Sequence, residues 1–209
     1  MKQEKTIHIG CIGDSITAGT GLANAAAEAF PAQLEQLLPN LTVFNFGNGG
    51  KTMRSDLGVD SYINSPTYQS LLQHAEKLDI VTIMLGTNDA YHANGWTDYE
   101  VSTFKSDCRS LFAALREKNP AMQFILMNSP ACFGEKSFRY NMSPLRELQR
   151  ELVQEMNDAG YVTHFFDMCS VTLGLGDEFP DKLHPNKTAH LVMAKALSQK
   201  VAEILSNNK

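Results

Sequence analysis

The chain has 209 residues, 43% of them hydrophobic, enough to bury one sizeable core, and no linker or composition shift divides it, so one domain over 1–209 is expected. Lysine and arginine number 18 against 23 aspartates and glutamates, and no basic run could follow a phosphate backbone, which argues against a nucleic-acid partner. No stretch approaches the roughly 18 apolar residues of a membrane span, and Met1-Lys2-Gln3-Glu4-Lys5 lacks the apolar centre of a secretory leader. As it stands the chain reads as cytoplasmic, or as periplasmic or secreted if a leader has been removed. The oligomeric state is left open. Cys11, Cys108, Cys132 and Cys169 include no C-x-x-C pair, and Cys11 and Cys108 fall on apolar faces, so neither a disulfide framework nor a metal site is expected.

In chain order, Thr6 to Ile12 reads as a buried strand, broken by Gly13 just before Asp14-Ser15-Ile16-Thr17. Pro31 opens a short helix with Leu34, Leu37 and Leu38 on one face, which Pro39 stops. Leu41 to Phe46 is a second strand, ending in the turn Gly47-Asn48-Gly49-Gly50-Lys51-Thr52. Thr67 to Lys77 is amphipathic and feeds the strand Asp79 to Leu85, a nearly continuous apolar run of the kind a doubly covered strand shows. A loop starting at Gly86-Thr87-Asn88-Asp89 is expected to run to Trp96. The spacing of Val101, Phe104, Cys108, Leu111, Phe112 and Leu115 predicts a long helix from about Thr97 to Lys118.

Met122 to Met127 is the fourth strand, and Ser143-Pro144 starts a helix that Gly160 ends. Tyr161 to Phe166 is the fifth strand. A polar loop from Asp167 to Pro180 leads to Asp181-Lys182-Leu183-His184-Pro185-Asn186, and an alanine-rich helix runs to about Leu205. Five strands alternating with helices imply an α/β fold, a three-layer α/β/α sandwich around a parallel sheet, because each parallel step needs a long crossover.

Three strand ends thus present Ser15, Gly50 and Asn88 to one edge of the sheet, where open α/β sheets bind ligands. A serine hydroxyl acting as nucleophile needs a base, a group to orient that base, and donors aimed at the developing oxyanion. His184 is the best candidate base, because Pro185 holds it out of a helix and Asp181 lies at a spacing that could reach its ring. On its own, Gly13-Asp14-Ser15 reads first as the capped start of a short helix, and only the later motifs turn that reading. Asp14 is expected as a structural acceptor, and it counts with Tyr91, His92 and Trp96 among residues that could line a substrate.

Taken together, Gly13-Asp14-Ser15-Ile16-Thr17, Asn45-Phe46-Gly47-Asn48-Gly49-Gly50-Lys51-Thr52, Gly86-Thr87-Asn88-Asp89 and Asp181-Lys182-Leu183-His184-Pro185 resemble the four motif blocks of the SGNH hydrolases, also called GDSL-like esterases and lipases. The resemblance implies a flavodoxin-like sheet of order 2-1-3-4-5. It implies Ser15 as nucleophile, His184 as base and Asp181 as its partner, with the Ser15 N–H, the Gly50 N–H and the Asn88 side chain forming an oxyanion hole. Neither a metal nor an organic cofactor is implied. Ile16 stands where the name motif has leucine, and Ala189 where many members have glycine. The stretch from Ile83 to Trp96 looks most like bacterial members that deacetylate carbohydrates, which points to a short-chain, acetyl-directed esterase acting on a small-molecule or carbohydrate ester.

Three other readings compete. A lysophospholipase or thioesterase would need an apolar groove or lid for a longer chain. A catalytically inactive carbohydrate-binding relative would lack one of the reacting groups, all of which are present. Gly50-Lys51-Thr52 resembles the end of a phosphate loop, but Asn45 occupies the position where that motif requires its first glycine.

Overall fold

The computed structural model describes residues 5–207; Met1–Glu4 and residues 208–209 lie outside the described residues, and with them the leader reading and both ends of the expected domain. In chain order the main elements are β1 (Ile7–Gly13), α1 (Ser15–Ala18), α2 (Ala25–Glu28), α3 (Phe30–Leu37), β2 (Leu41–Gly47), α4 (Pro66–His74), β3 (Ile80–Met84) and α5 (Thr87–His92). There follow α6 (Asp98–Lys118), β4 (Gln123–Met127), α7 (Glu135–Arg139), α8 (Ser143–Asp158), β5 (Thr163–Phe166), α9 (Met168–Thr172) and α10 (Lys187–Asn207).

All five strands pair in parallel in the order β2-β1-β3-β4-β5. Every residue of β3 is buried, as its unbroken apolar run requires. Its side chains alternate: Val81 and Ile83 join Phe104, Phe112 and Leu152 of α6 and α8, whereas Ile80 and Met84 join Leu34 and Leu197 of α3 and α10. These two apolar clusters are the two interfaces of the three-layer sandwich.

The register sets the site. Gly13 pairs with Gly47 on one side and with Met84 on the other, so β1, β2 and β3 end level and release their loops on one edge. A Cβ at Gly47 would lie 2.2 Å from the Ala18 backbone nitrogen, so only glycine there lets α1 settle on the tip of β2. Thr97 and Glu100 form a reciprocal cap that fixes the start of α6.

Boundaries of the long elements fall within a residue or two of the sequence reading, but short helical segments were not expected, among them α2 and the 3-10 turns Ser55–Asp60 and Tyr62–Asn64. The loop expected from Gly86 to Trp96 opens with α5, the loop expected from Asp167 to Pro180 holds α9 and a 3-10 turn over Gly176–Glu178, and α7 had no counterpart. Helices of five or six residues bury too few apolar positions to show a period, and packing rather than propensity sustains them. Among the described residues no helix is long and apolar enough to cross a membrane.

Candidate active site

Ser15 is the first residue of α1, half-buried at the tip of β1. Asp14 caps that turn, its Oδ1 accepting the Ile16 N–H at 2.9 Å. The carboxyl is 0% exposed, so Asp14 cannot line a substrate, which corrects that expectation and leaves its structural one. Burial pushes the Asp14 pKa up, while the Ile16 N–H, the Thr87 hydroxyl and the His184 ring pull it down.

From the far side of the chain, the turn after Phe179 brings Asp181 and His184 over Ser15. Ser15 Oγ lies 2.9 Å from His184 Nε2, and His184 Nδ1 lies 2.7 Å from Asp181 Oδ2. The other Asp181 oxygen accepts the Leu183 and His184 backbone N–H groups at 3.0 and 2.7 Å. Lys182 sits between them at φ +69°, which makes the turn tight enough for Asp181 to reach the ring three residues on. Burial works to raise the Asp181 pKa, but the His184 N–H, the His184 ring and the Leu183 N–H outweigh it and hold the carboxylate at about 2. Downstream, Asn186 caps α10 through the Thr188 and Ala189 N–H groups and donates to Glu178, so the turn is anchored at its exit.

The other side of Ser15 is built by the β2 and β3 loops. Gly50 adopts φ +73°, a conformation that favours glycine, and open space surrounds the position a Cβ would take. Asn88, near the start of α5, donates from Nδ2 to the Lys51 carbonyl at 2.9 Å, which ties α5 to the residue after Gly50. The next residue binds the same two segments. Asp89 is 0% exposed and accepts the Met53 and Arg54 N–H groups, both at 2.9 Å. Arg54 in turn donates to Asp56 and Glu100, and Glu100 accepts the Asn94 and Thr97 N–H groups.

Sequence reasoning missed this Asp89–Arg54–Glu100 network, because Glu100 lies 46 positions from Arg54 and nothing local marks the pairing. It also missed Arg139 and Tyr140. Tyr91 and His92 are exposed on α5, with the Arg139 guanidinium over the Tyr91 ring. Trp96 is a correction. It is only 8% exposed, meets Phe104 edge-on at 5.8 Å and donates its indole N–H to the Asn141 carbonyl, so it is core rather than substrate wall.

A cavity of ≈ 200 Å³ opens beyond the β4 tip, lined by Ser129, Ala131, Tyr140, Met142 and Arg146 among others; Ser15 and His184 are not in its wall. Among the described residues no group of three His, Cys, Asp or Glu side chains is placed to hold a metal ion.

A parallel 2-1-3-4-5 sheet with a serine, a histidine and an aspartate in hydrogen-bonded series at its strand tips is the arrangement of the SGNH-type hydrolase fold. Residues 11–192 match the GDSL-like Lipase/Acylhydrolase family, and the chain belongs to that family. It is 30% identical over 218 residues to an acetylxylan esterase from Xylanibacter ruminicola, a match covering 94% of this chain and 43% of that protein. The chain therefore spans less than half the length of that curated relative. Among solved structures, a candidate arylesterase from Agrobacterium tumefaciens is 26% identical with a TM-score of 0.71, covering 95% of this chain and 99% of that one. Axe2, an acetylxylan esterase from Geobacillus stearothermophilus solved as a catalytic mutant, is 22% identical with a TM-score of 0.64, covering 96% of both chains. A family two carbohydrate esterase from Clostridium thermocellum, solved with cellohexaose, is 18% identical with a TM-score of 0.71, covering 98% of this chain and 66% of that one. The last two show the shared fold.

Proposed function

We propose that this protein is a serine esterase that removes acetyl groups from a carbohydrate through an acyl-enzyme, with Ser15 as nucleophile, His184 as general base and Asp181 as the group orienting its ring. The observation that carries the reading is the unbroken hydrogen-bonded series from Ser15 Oγ through His184 to Asp181, at 2.9 and 2.7 Å. The acetylxylan esterase from Xylanibacter ruminicola supports the acyl group and the substrate class.

Ser15 Oγ adds to the ester carbonyl carbon as its proton passes to His184 Nε2. Asp181, ionised because its pKa is held at about 2, accepts from Nδ1 and stabilises the imidazolium that forms. The carbonyl oxygen, now an oxyanion, is held by the Ser15 N–H, the Gly50 N–H and the Asn88 amide; one Asn88 N–H serves Lys51, leaving the other for this purpose. Collapse breaks the bond to the alcohol oxygen, which leaves with the proton from His184. Water, deprotonated by the same ring, then releases acetate and restores Ser15.

Rates on p-nitrophenyl esters of increasing length test the acyl preference, with the maximum expected at acetyl; a maximum at eight or more carbons would move the assignment to a lysophospholipase or thioesterase. A fluorophosphonate probe should label Ser15 in the wild type and leave Ser15→Ala unlabelled. Failure to label the wild type would favour an inactive carbohydrate-binding relative.

A further inference from the structure

Helix α7 lies beside the proposed acyl site, joined to α5 by rings and cations. The Tyr91 and Tyr140 rings are 5.1 Å apart, the Arg139 guanidinium stacks 4.3 Å over Tyr91 and donates to its hydroxyl, and the Lys136 ammonium lies 5.9 Å over Tyr140. Tyr91 is one helical turn from Asn88. At the other end of α7, the Phe133 N–H donates to the Lys182 carbonyl at 2.9 Å, and a Cβ at Gly134 would lie 3.8 Å from the Lys182 side chain. Lys182 is two residues from His184. A continuous rim therefore runs from beside His184 to beside Asn88, carrying Lys182, Lys136 and Arg139.

These three cations make no ion pair among the described residues, a condition shared by Lys51, Lys77, Arg116, Lys118 and Lys195, but they are the ones that the footing of α7 gathers along one rim. In a chain of formal net charge −5, a strip with three cations and no salt bridge of its own, set against Glu135 and Asp181, favours a substrate that brings its own negative charge.

We infer that this rim binds a carboxylate on the alcohol portion of the ester, so that the enzyme prefers acidic saccharides, those carrying a uronic acid near the acetylated position, with Arg139 as the main anchor. The inference rests on the esterase reading above and adds the charge of the substrate. Arg139 suits the role because stacking on Tyr91 orders its long side chain before binding, and its planar fork can meet a carboxylate at two points.

The experiment is calorimetric titration of the Ser15→Ala protein with xylotetraose and with xylotetraose carrying a glucuronic acid branch. The acidic ligand should bind about fivefold tighter at low ionic strength, and the preference should shrink with added salt. It should vanish in Ser15→Ala/Arg139→Gln and partly survive in Ser15→Ala/Arg139→Lys. Equal affinities for the two ligands, or a preference untouched by Arg139→Gln, would overturn the inference. Hydrolysis of p-nitrophenyl acetate by the wild type reads the esterase assignment separately.

Discussion

Asp181 neighbours His184 and Asp89 follows Asn88, and each accepts two N–H groups from other residues' backbones, yet they are held in opposite ways. Asp181 stands on an exposed turn, its side chain 52% accessible, and three hydrogen bonds from its neighbours hold its pKa at about 2. Asp89 is fully buried, and although the Met53, Arg54 and its own N–H groups and the Arg54 charge pull the other way, burial pushes its pKa up to about 6. Burial opposes ionisation at both sites: at the partly exposed Asp181 the His184 and Leu183 hydrogen bonds and the His184 charge outweigh it, whereas at the fully buried Asp89 its hydrogen bonds and the Arg54 charge do not. The accessible carboxylate is hydrogen-bonded to the His184 ring, the orienting place that the proposed mechanism gives it. The buried one works as a strut, joining the loop after Gly50 to the helix that carries Asn88.

The contrast is broken most severely at Asp181. In Asp181→Asn the carboxylate that accepts from Nδ1 is gone and the ring is free to take the wrong tautomer, so kcat should fall by about 10⁴-fold with the protein still folded. Asp89→Asn should lose far less activity, and equal losses from the two exchanges would erase the distinction between orienting group and strut. Next in size, Asn88→Ala removes one oxyanion donor and should lower kcat by about 10²–10³-fold with little change in KM. A KM-dominated effect would place Asn88 in ground-state binding instead.

Stability against pH sharpens the comparison. The folded Asp89 pKa of about 6 stands above its ordinary 3.8, so the native state keeps that proton to higher pH, and stability rises as pH falls from about 6 to about 4, by roughly 3 kcal/mol. His190 does the reverse. Buried, with Nδ1 accepting the Phe30 N–H, it has its pKa driven by burial, with some help from His184, from 6.5 down to about 4. The unfolded chain therefore takes up the His190 proton first, and stability falls by about 3 kcal/mol as pH drops from about 6.5 to about 4. The two nearly cancel in the wild type. Urea unfolding of Asp89→Asn should show stability falling steeply through this window, and that of His190→Phe should show it rising; parallel profiles would refute both assignments. The smallest effect is expected at Trp96→Phe, which gives up the bond to Asn141 at a cost of about 1 kcal/mol while kcat/KM stays level. A fall in kcat/KM would restore Trp96 to the substrate wall.

How much could be read in advance follows from the range of the forces involved. The buried β3 run and the long α6 stripe were legible because each repeats one period over enough residues to bury a face. The positions of Ser15 and His184 were legible for a related reason: glycine and proline punctuate the chain on either side of them, and punctuation is local. Trp96 misled because an aromatic in a polar loop looks the same whether it faces solvent or dips beneath the surface to meet Phe104. Helix α7 escaped notice because its footing on Tyr91 and Lys182 involves residues more than forty positions away in either direction.

The sequence by itself determined the layers of the sandwich, the strand ends that gather the candidate site and the residue types placed there, since periodicity, turn residues and motif spacing act over a few neighbours. Only the tertiary structure decided that Ser15, 169 positions from His184, would lie 2.9 Å from it. It also decided that Asp89 would be buried while Asp181 stayed accessible, and that cations from α7 and from the turn after Phe179 would come to one rim. Burial and long-range juxtaposition depend on how layers pack against one another, and no local stretch of chain contains that information.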